Sequence, residues 1–341
     1  MTDAHPVSGA EKASGPVGHA IGLDDLEAAA SRIRSQALLT PLLRHPALDE
    51  RCGARVFIKP ENLQRSGSFK FRGAFNCLSM IAESDRSKGV VACSSGNHAQ
   101  GVAASAQILG MPATIVMPAD APQIKLQRTR DFGAKVVTYD RESEDREAIA
   151  VRLCEESGAT FVHPYNNPAV IAGQGTIGLE MAEQAAALGV TLDDALVCTG
   201  GGGLSGGVAL ALSFKSPDTV FHTVEPELFD DYKRSLEAGE RLSNRAKAGS
   251  ICDALLTESP GEISFSILKD LAGEGVTVSD EDVLAAVAFA FNELKLVVEP
   301  GGAAALAALL SGKLALKGRT VGVVLTGGNI DPQMLMKALD G

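Results

Sequence analysis

Tryptophan is missing from this chain of 341 residues, tyrosine occurs three times, and aromatic residues make up 4% of the whole. No Lys/Arg run is interleaved with the few aromatics, and acids outnumber bases 42 to 31, leaving a formal charge of −11. Such a surface repels polyanions, which argues against nucleic acid as a partner. Also lacking is an apolar run long enough for a bilayer: the nearest, Gly301 to Leu310, is short and rich in glycine and alanine, so no membrane partner is expected. The chain does not open on a secretory signal. Residues 1–20 have the Ser, Gly, Ala and Pro content of a flexible tail and are set aside from the fold. The six cysteines are widely spaced with no C-x-x-C pair, which fits buried thiols in a reducing cytoplasm better than disulfides or zinc.

What is present is a pattern. From Gly89 onward, short β-branched runs alternate with stretches of helical period, the mark of βαβ units and an α/β protein with parallel sheets. Val90 to Cys93, Ala113 to Met117, Ala134 to Thr138 and Thr160 to Val162 read as strands; Asn97 to Leu109, Ala121 to Phe132 and Ser143 to Ser157 read as helices. These make a small α/β domain over residues 88–163. Further strands are expected at Val56 to Lys59, Ala195 to Thr199, Val220 to Val224, Val297 to Glu299 and Thr320 to Leu325, with helices at Asp24 to Arg34 and Asp280 to Leu294. They assign residues 21–87 and 164–341 to a larger, discontinuous domain.

Ligands of open parallel sheets sit where loops leave the carboxyl ends of strands. Four such loops are polar or glycine-rich: Ser94 to His98, His163 to Asn166, Gly200 to Leu204, and Thr326 to Asn329. Four consecutive glycines between a strand and a helix free backbone N–H groups for a phosphate. The same loop holds a G-x-G-x-x-G (Gly201, Gly203, Gly206) with Glu225 downstream, the pattern of an NAD-dependent oxidoreductase, which would leave two other features unused. One is the Ser94 to His98 loop. The other is Lys70, flanked by Phe69 and Phe71, where desolvation would strip its charge and make it a nucleophile toward carbonyl compounds. A helix-start lysine with its amine in water is the plain alternative.

Taken together, S-F-K-F-R-G-A, S-S-G-N-H-A-Q-G, A-G-Q-G-T-I-G-L-E, G-G-G-G-L, E-P-G-G-A and T-G-G-N, in this order from about Thr40 to Asn329, resemble the fold type II pyridoxal-phosphate enzymes, specifically the threonine/serine dehydratase and serine racemase group. The resemblance implies two open twisted parallel-sheet domains with the cofactor in the cleft between them. It implies that Lys70 carries pyridoxal phosphate as a Schiff base and then takes the α-proton, with Phe69 against the ring and Asn97 on its phenolic oxygen. Gly200, Gly201, Gly202, Gly203 and Leu204 would bind the phosphate, and Thr326 would face the pyridine nitrogen. A hydroxyl there does not force the nitrogen to be protonated, so the ring is a weaker electron sink and elimination is favoured over transamination. Glu299 is placed near the cofactor, or is a helix-start acid.

Ser94, Ser95, Gly96, Asn97 and His98 suit a substrate carboxylate at a helix start. Many dehydratases have alanine where this chain has Ser95, which instead matches the opposite-face base of serine racemases. Glu225, the carbonyl of Phe229, and Asp231 correspond to a site for Mg²⁺ or Ca²⁺ in serine racemase-like members, though two acids at that spacing also occur on plain surfaces. His98 and His163 read as loop organisers and Tyr165 as a pocket wall. The expected function is dehydration and deamination of L-threonine or L-serine to a 2-oxo acid and ammonia by a homodimer. Serine racemase and 3-hydroxyaspartate dehydratase stand as alternatives, and a non-catalytic binding module is disfavoured by the intact Lys70. Because the chain stops soon after Asn329, inhibition by isoleucine through a C-terminal regulatory domain is not expected.

Overall fold

Runs of Val, Ile and Ala closed by Gly, Asp or Pro form the strands of a computed structural model, which describes residues 19–94, 96–121, 123–140 and 143–341. Ser95, and the expected tail up to residue 18, lie outside the described residues. Among the described residues there are ten strands: β1 (Leu43–Arg44), β2 (Arg55–Pro60), β3 (Val90–Cys93), β4 (Ala113–Pro118), β5 (Lys135–Tyr139), β6 (Thr160–Phe161), β7 (Asp194–Cys198), β8 (Val220–Pro226), β9 (Ala272–Val278) and β10 (Thr320–Leu325). They make a six-stranded sheet in the order β1-β2-β10-β7-β8-β9 and a four-stranded sheet in the order β5-β4-β3-β6. All pairings are parallel except β1 with β2.

Both faces of the larger sheet are buried, as parallel strands require. Ile58, Leu196, Val323 and Leu325 face one core with the helix Pro300–Leu310, while their neighbours Phe57, Val197 and Val324 face another with the helix Gly203–Lys215. Each such side chain, fully buried, contributes about 1.5–3 kcal/mol.

The helix Pro168–Ala187, which contains the A-G-Q-G-T-I-G run, sits between the helix Lys70–Ser79 and the helix Gly203–Lys215. Its glycines serve contact. A Cβ on Gly173 would lie 2.6 Å from the Cα of Gly73, and one on Gly178 would lie 2.8 Å from the carbonyl oxygen of Val208. Any larger side chain would push the three helices apart, and with them Lys70 and the glycine loop.

Beneath the Lys70 helix lies a polar cluster that the sequence reading did not anticipate. Arg72 pairs with Glu61 and Glu180, and Lys59 donates to Glu180 at 2.6 Å and to the carbonyl oxygen of Thr40 at 2.6 Å. Lys59, Glu61 and Arg72 are sealed from solvent.

The expected strand at Val297–Glu299 is not one. A π-turn (Ala290–Leu294) ends at Lys295, whose φ of 58° turns the chain, and residues 295–299 run irregularly into the helix Pro300–Leu310. Their backbone groups bond to loops instead of a ladder: the Val297 carbonyl accepts from the Asn62 amide, and Glu299 N donates to Gly327 O. The α-helix Asp280–Phe289 runs directly into this π-turn, so the expected helix from Asp280 to Leu294 is present with its last turn widened. β9 escaped notice because Gly273 and Gly275 interrupt its apolar alternation. Among the described residues, no helix is long and apolar enough to cross a membrane.

Candidate active site

Three strand ends and four helix starts converge on one cleft, whose lining includes Phe69, Lys70, Asn97, the Gly200–Gly203 loop, Glu299 and Thr326. Lys70 begins its helix one residue after Phe69, whose own neighbour Ser68 bridges to Gly327, while Phe69 N donates to the carbonyl oxygen of Thr326 at 3.1 Å. The lysine is thereby tied to the end of β10. Its Nζ donates to the Pro164 carbonyl oxygen at 3.0 Å and lies 5.0 Å from the Phe69 ring centre. Burial lowers the ammonium to about 8, so an appreciable fraction is a free amine near neutral pH.

The glycine loop follows β7 and opens the helix Gly203–Lys215. Its orientation is fixed from behind: the Gly201 carbonyl oxygen accepts from Ser264 Oγ (2.9 Å), Tyr232 Oη (3.2 Å) and Gly261 N (3.0 Å). A trans peptide sends its N–H opposite to its C=O, so the amide of Gly202 faces away from that anchor. Gly202 has φ +87°, and a Cβ there would collide with the Tyr232 hydroxyl at 1.8 Å. Gly201 lies under the Tyr165 ring, 2.3 Å from where its Cβ would be. Neither Tyr232 nor Ser264 carries a local sequence signal; only the fold reveals them.

At the end of β3, the helix Asn97–Leu109 starts with Gly96 as its cap and no side-chain capping bond. Ser94 Oγ accepts from Gly96 N at 3.1 Å, outside the helix, so the ordinary capping role is not realised by Ser94. His98 Nε2 contacts the Val162 carbonyl oxygen at 2.9 Å, and since a carbonyl only accepts, the proton sits on Nε2. Burial, with Lys70 nearby, holds His98 down to about 3. His163 Nδ1 accepts from Asn166 N (2.9 Å) and Tyr165 N (3.3 Å), and burial lowers it to about 4. Both imidazoles are neutral and occupied with backbone.

Glu299 caps the helix Pro300–Leu310 in position but makes no side-chain capping bond; its Oε1 accepts from Asn97 Nδ2 instead. Burial, and then the charge of Asp253, push its carboxyl up to about 7. Cys198, read from sequence as a core thiol, lines the cleft together with Thr326. So do three charged residues not singled out before: Lys125 and Asp253, joined at 2.5 Å, and Arg146.

Away from this cleft, Glu225 and Asp231 are fully buried, and burial, with the Asp231 charge beside it, raises the Glu225 carboxyl well above its ordinary range. Glu225 accepts from Tyr232 N and Lys233 N, both at 2.8 Å, while Asp231 Oδ2 has no hydrogen-bond partner. Phe229 is buried at the turn between them. Among the described residues no three His, Cys, Asp or Glu side chains cluster as a metal site, so any ion here would rest on two carboxylates, a backbone carbonyl and water.

The family model for pyridoxal-phosphate dependent enzymes matches residues 33–327. The chain is 45% identical to an L-threo-3-hydroxyaspartate ammonia-lyase of a Pseudomonas species over 93% of its own length and 98% of the relative's. It is 41% identical to the serine racemase of Schizosaccharomyces pombe over 90% of its length and 94% of the relative's. Among solved structures, the T.th. threonine deaminase superposes with a TM-score of 0.87 at 45% identity, covering 91% of this chain and 99% of that one.

Proposed function

Because the chain belongs to the pyridoxal-phosphate dependent enzymes of fold type II, we propose that it removes water from a small β-hydroxy amino acid, L-threonine or L-serine, yielding a 2-oxo acid and ammonia. The observation that carries this reading is a desolvated lysine amine in the same cleft as a helix-start glycine loop. These residues fit the cofactor: an amine free to join an aldehyde, and a loop whose carbonyl is tied back so that amides are left for a phosphate. When bound, pyridoxal phosphate supplies an electron sink conjugated with the substrate's Cα.

The chain supplies the rest. Lys70 Nζ, as free amine, takes the Cα proton; as ammonium it returns a proton to the departing β-hydroxyl, which leaves as water. Tautomerisation and hydrolysis of the released enamine give the oxo acid and ammonia. Ser94, Gly96, Asn97 and His98, with Ser95 by its place in the sequence, are suited to the α-carboxylate, and Asn97, Phe69 and Thr326 to the ring. His98 and His163, too weakly basic to compete, leave proton transfer to the lysine. We assign residues 88–163 to the small domain and 21–87 with 164–341 to the larger, take the active form as a homodimer, and place Mg²⁺ or Ca²⁺ at Glu225, the Phe229 carbonyl and Asp231, where the unpartnered Asp231 oxygen calls for a cation.

A second reading is favoured by Arg146. This guanidinium lines the cleft close enough to His163 and Tyr165 to draw both toward lower values, and suits a second substrate carboxylate, as in 3-hydroxyaspartate. Assays of 2-oxo acid release from L-threonine, L-serine and L-threo-3-hydroxyaspartate, on wild type and Arg146→Met, decide between them. Loss confined to hydroxyaspartate, starting from a preference for it, establishes the second reading. Borohydride reduction followed by peptide mass analysis must place the cofactor on Lys70; an adduct elsewhere overturns both.

A further inference from the structure

The last residue of the Thr326 to Asn329 loop has no part in the chemistry above, yet three segments of the cleft meet at its side chain. Asn329 Nδ2 donates to the Ser66 carbonyl oxygen and to Asn97 Oδ1, both at 2.8 Å, and Asn329 Oδ1 accepts from Arg128 Nη1 at 3.2 Å. Asn97 Nδ2 in turn donates to Glu299 Oε1. The result is a chain of amides that begins at a guanidinium and ends at a carboxyl.

The polarity of that chain is forced by its ends. A guanidinium only donates and a peptide carbonyl only accepts, so the Asn329 amide has one orientation. Its second N–H then requires an acceptor from Asn97, which must turn its oxygen to Asn329 and its nitrogen to Glu299 and the cleft. One N–H of Asn97 is spent on Glu299; the other belongs to a side chain that lines the cleft. The group Asn97 offers a bound ligand is therefore a donor and not an acceptor.

We propose that Asn329 is a positioning residue, which fixes the amide of Asn97 so that the cofactor's ring oxygen meets an N–H, and which thereby favours the ionised form of that oxygen. The inference rests on the reading of the cleft as the pyridoxal-phosphate site. Asn329 reaches Lys70 as well: Ser66, whose carbonyl it holds, has φ 60°, a left-handed conformation that a serine adopts only when its surroundings impose it. The Arg128 contact is solvent-exposed and long, so the polarity is set mainly by Ser66, and Arg128 is the weaker partner.

The test compares Asn329→Asp with Asn329→Ala. Aspartate keeps the volume but puts an acceptor where the donor was, so the Asn97 amide turns over and shows its oxygen to the cofactor. Alanine merely frees Asn97. Asn329→Asp should weaken pyridoxal phosphate binding by about tenfold or more in equilibrium dialysis and shift the loaded protein's visible band toward the near ultraviolet, with Asn329→Ala less affected on both readouts. A role limited to packing predicts the reverse order, because alanine loses more contact. Melting of the cofactor-free proteins checks folding; if the aspartate variant fails to fold, an alanine variant with wild-type affinity and spectrum is enough to overturn the proposal. So is an aspartate variant with an unchanged spectrum. Borohydride fixation on Lys70 in wild type tests the underlying site separately, so failure of one is not mistaken for failure of the other.

Discussion

Arg72 and Glu61, eleven positions apart and both sealed from solvent, share two hydrogen bonds of 2.8 Å. Arg72 stands two residues after Lys70, so this pair anchors the first turn of the helix that begins at Lys70. Removing Arg72 leaves Glu61 charged and buried without its guanidinium, and removing Glu61 leaves the buried Arg72 with Glu180 alone. Glu61→Gln or Arg72→Met should each cost about 3–5 kcal/mol in urea unfolding of the cofactor-free protein. Replacing both with apolar residues should recover a large part. A loss under about 1 kcal/mol for either single variant would show that the pair does not anchor the helix.

Most strands of both sheets were legible because β-branched runs bounded by turn residues have few other fates; β3 and β10 run from Val90 to Cys93 and from Thr320 to Leu325, as the pattern indicates, whereas the two-residue β1 and the glycine-interrupted β9 were not. Lys70, Asn97 and the glycine loop stood out because each breaks a local rule: an amine among phenyl rings, a polar loop after an apolar strand, four glycines in a row. The members that were not legible obey local rules. Arg72, Glu61, Tyr232 and Ser264 look like ordinary helix or turn residues until the fold brings them together, at separations of up to 108 residues in the Arg72–Glu180 pair. Val297 and Val298 misled because a β-branched pair before Glu-Pro reads as a strand end, whereas their partners turned out to be loops.

Lys70 has a pH signature that needs no substrate. Burial lowers its folded-state value from 10.5 to about 8, so charging it costs stability. That cost is full below pH 8, falls as pH rises through the window between the two values, and vanishes above it, since there both states are neutral. Cofactor-free Lys70→Met should therefore be more stable than wild type at pH 7 by about 1–2 kcal/mol, a figure kept low because the cleft is open to water. The advantage should fade by pH 10.5. Equal stability of the two proteins at pH 7 would mean that the amine is not desolvated.

Lys125 and Asp253 bear on Glu299 with opposite signs. Asp253 helps to raise its carboxyl to about 7, and Lys125 draws it down. Asp253→Asn should move the titration of the Glu299 carboxyl, followed by carbon-13 NMR of the cofactor-free protein, to lower pH, and Lys125→Ala should move it to higher pH, each by a few tenths of a unit and less at high salt. Shifts in the same direction would show that these two charges do not set the Glu299 carboxyl.

Asp231 allows the proposed ion to be tested without an activity assay. Its Oδ2 is buried and unpartnered, and burial raises its carboxyl to about 7, so in the absence of a cation the ionised form is a cost borne by the fold. A carboxyl raised above its unfolded value of 3.8 costs nothing below that pH, and its full penalty is present above about 7. The metal-free protein should accordingly lose stability as pH climbs through that window. A divalent ion pairs with the carboxylate and cancels the loss, and an ion at about a hundred times its dissociation constant adds about 2.7 kcal/mol. Asp231→Asn separates the effects, because the amide carries no charge to bury and makes a poorer ligand. At pH 8, chelator-treated Asp231→Asn should melt above chelator-treated wild type, and added Ca²⁺ or Mg²⁺ should raise wild type past it while leaving the variant unmoved. If neither ion shifts the melting of wild type, the two acids are a buried pair that the fold tolerates, and no cation belongs there.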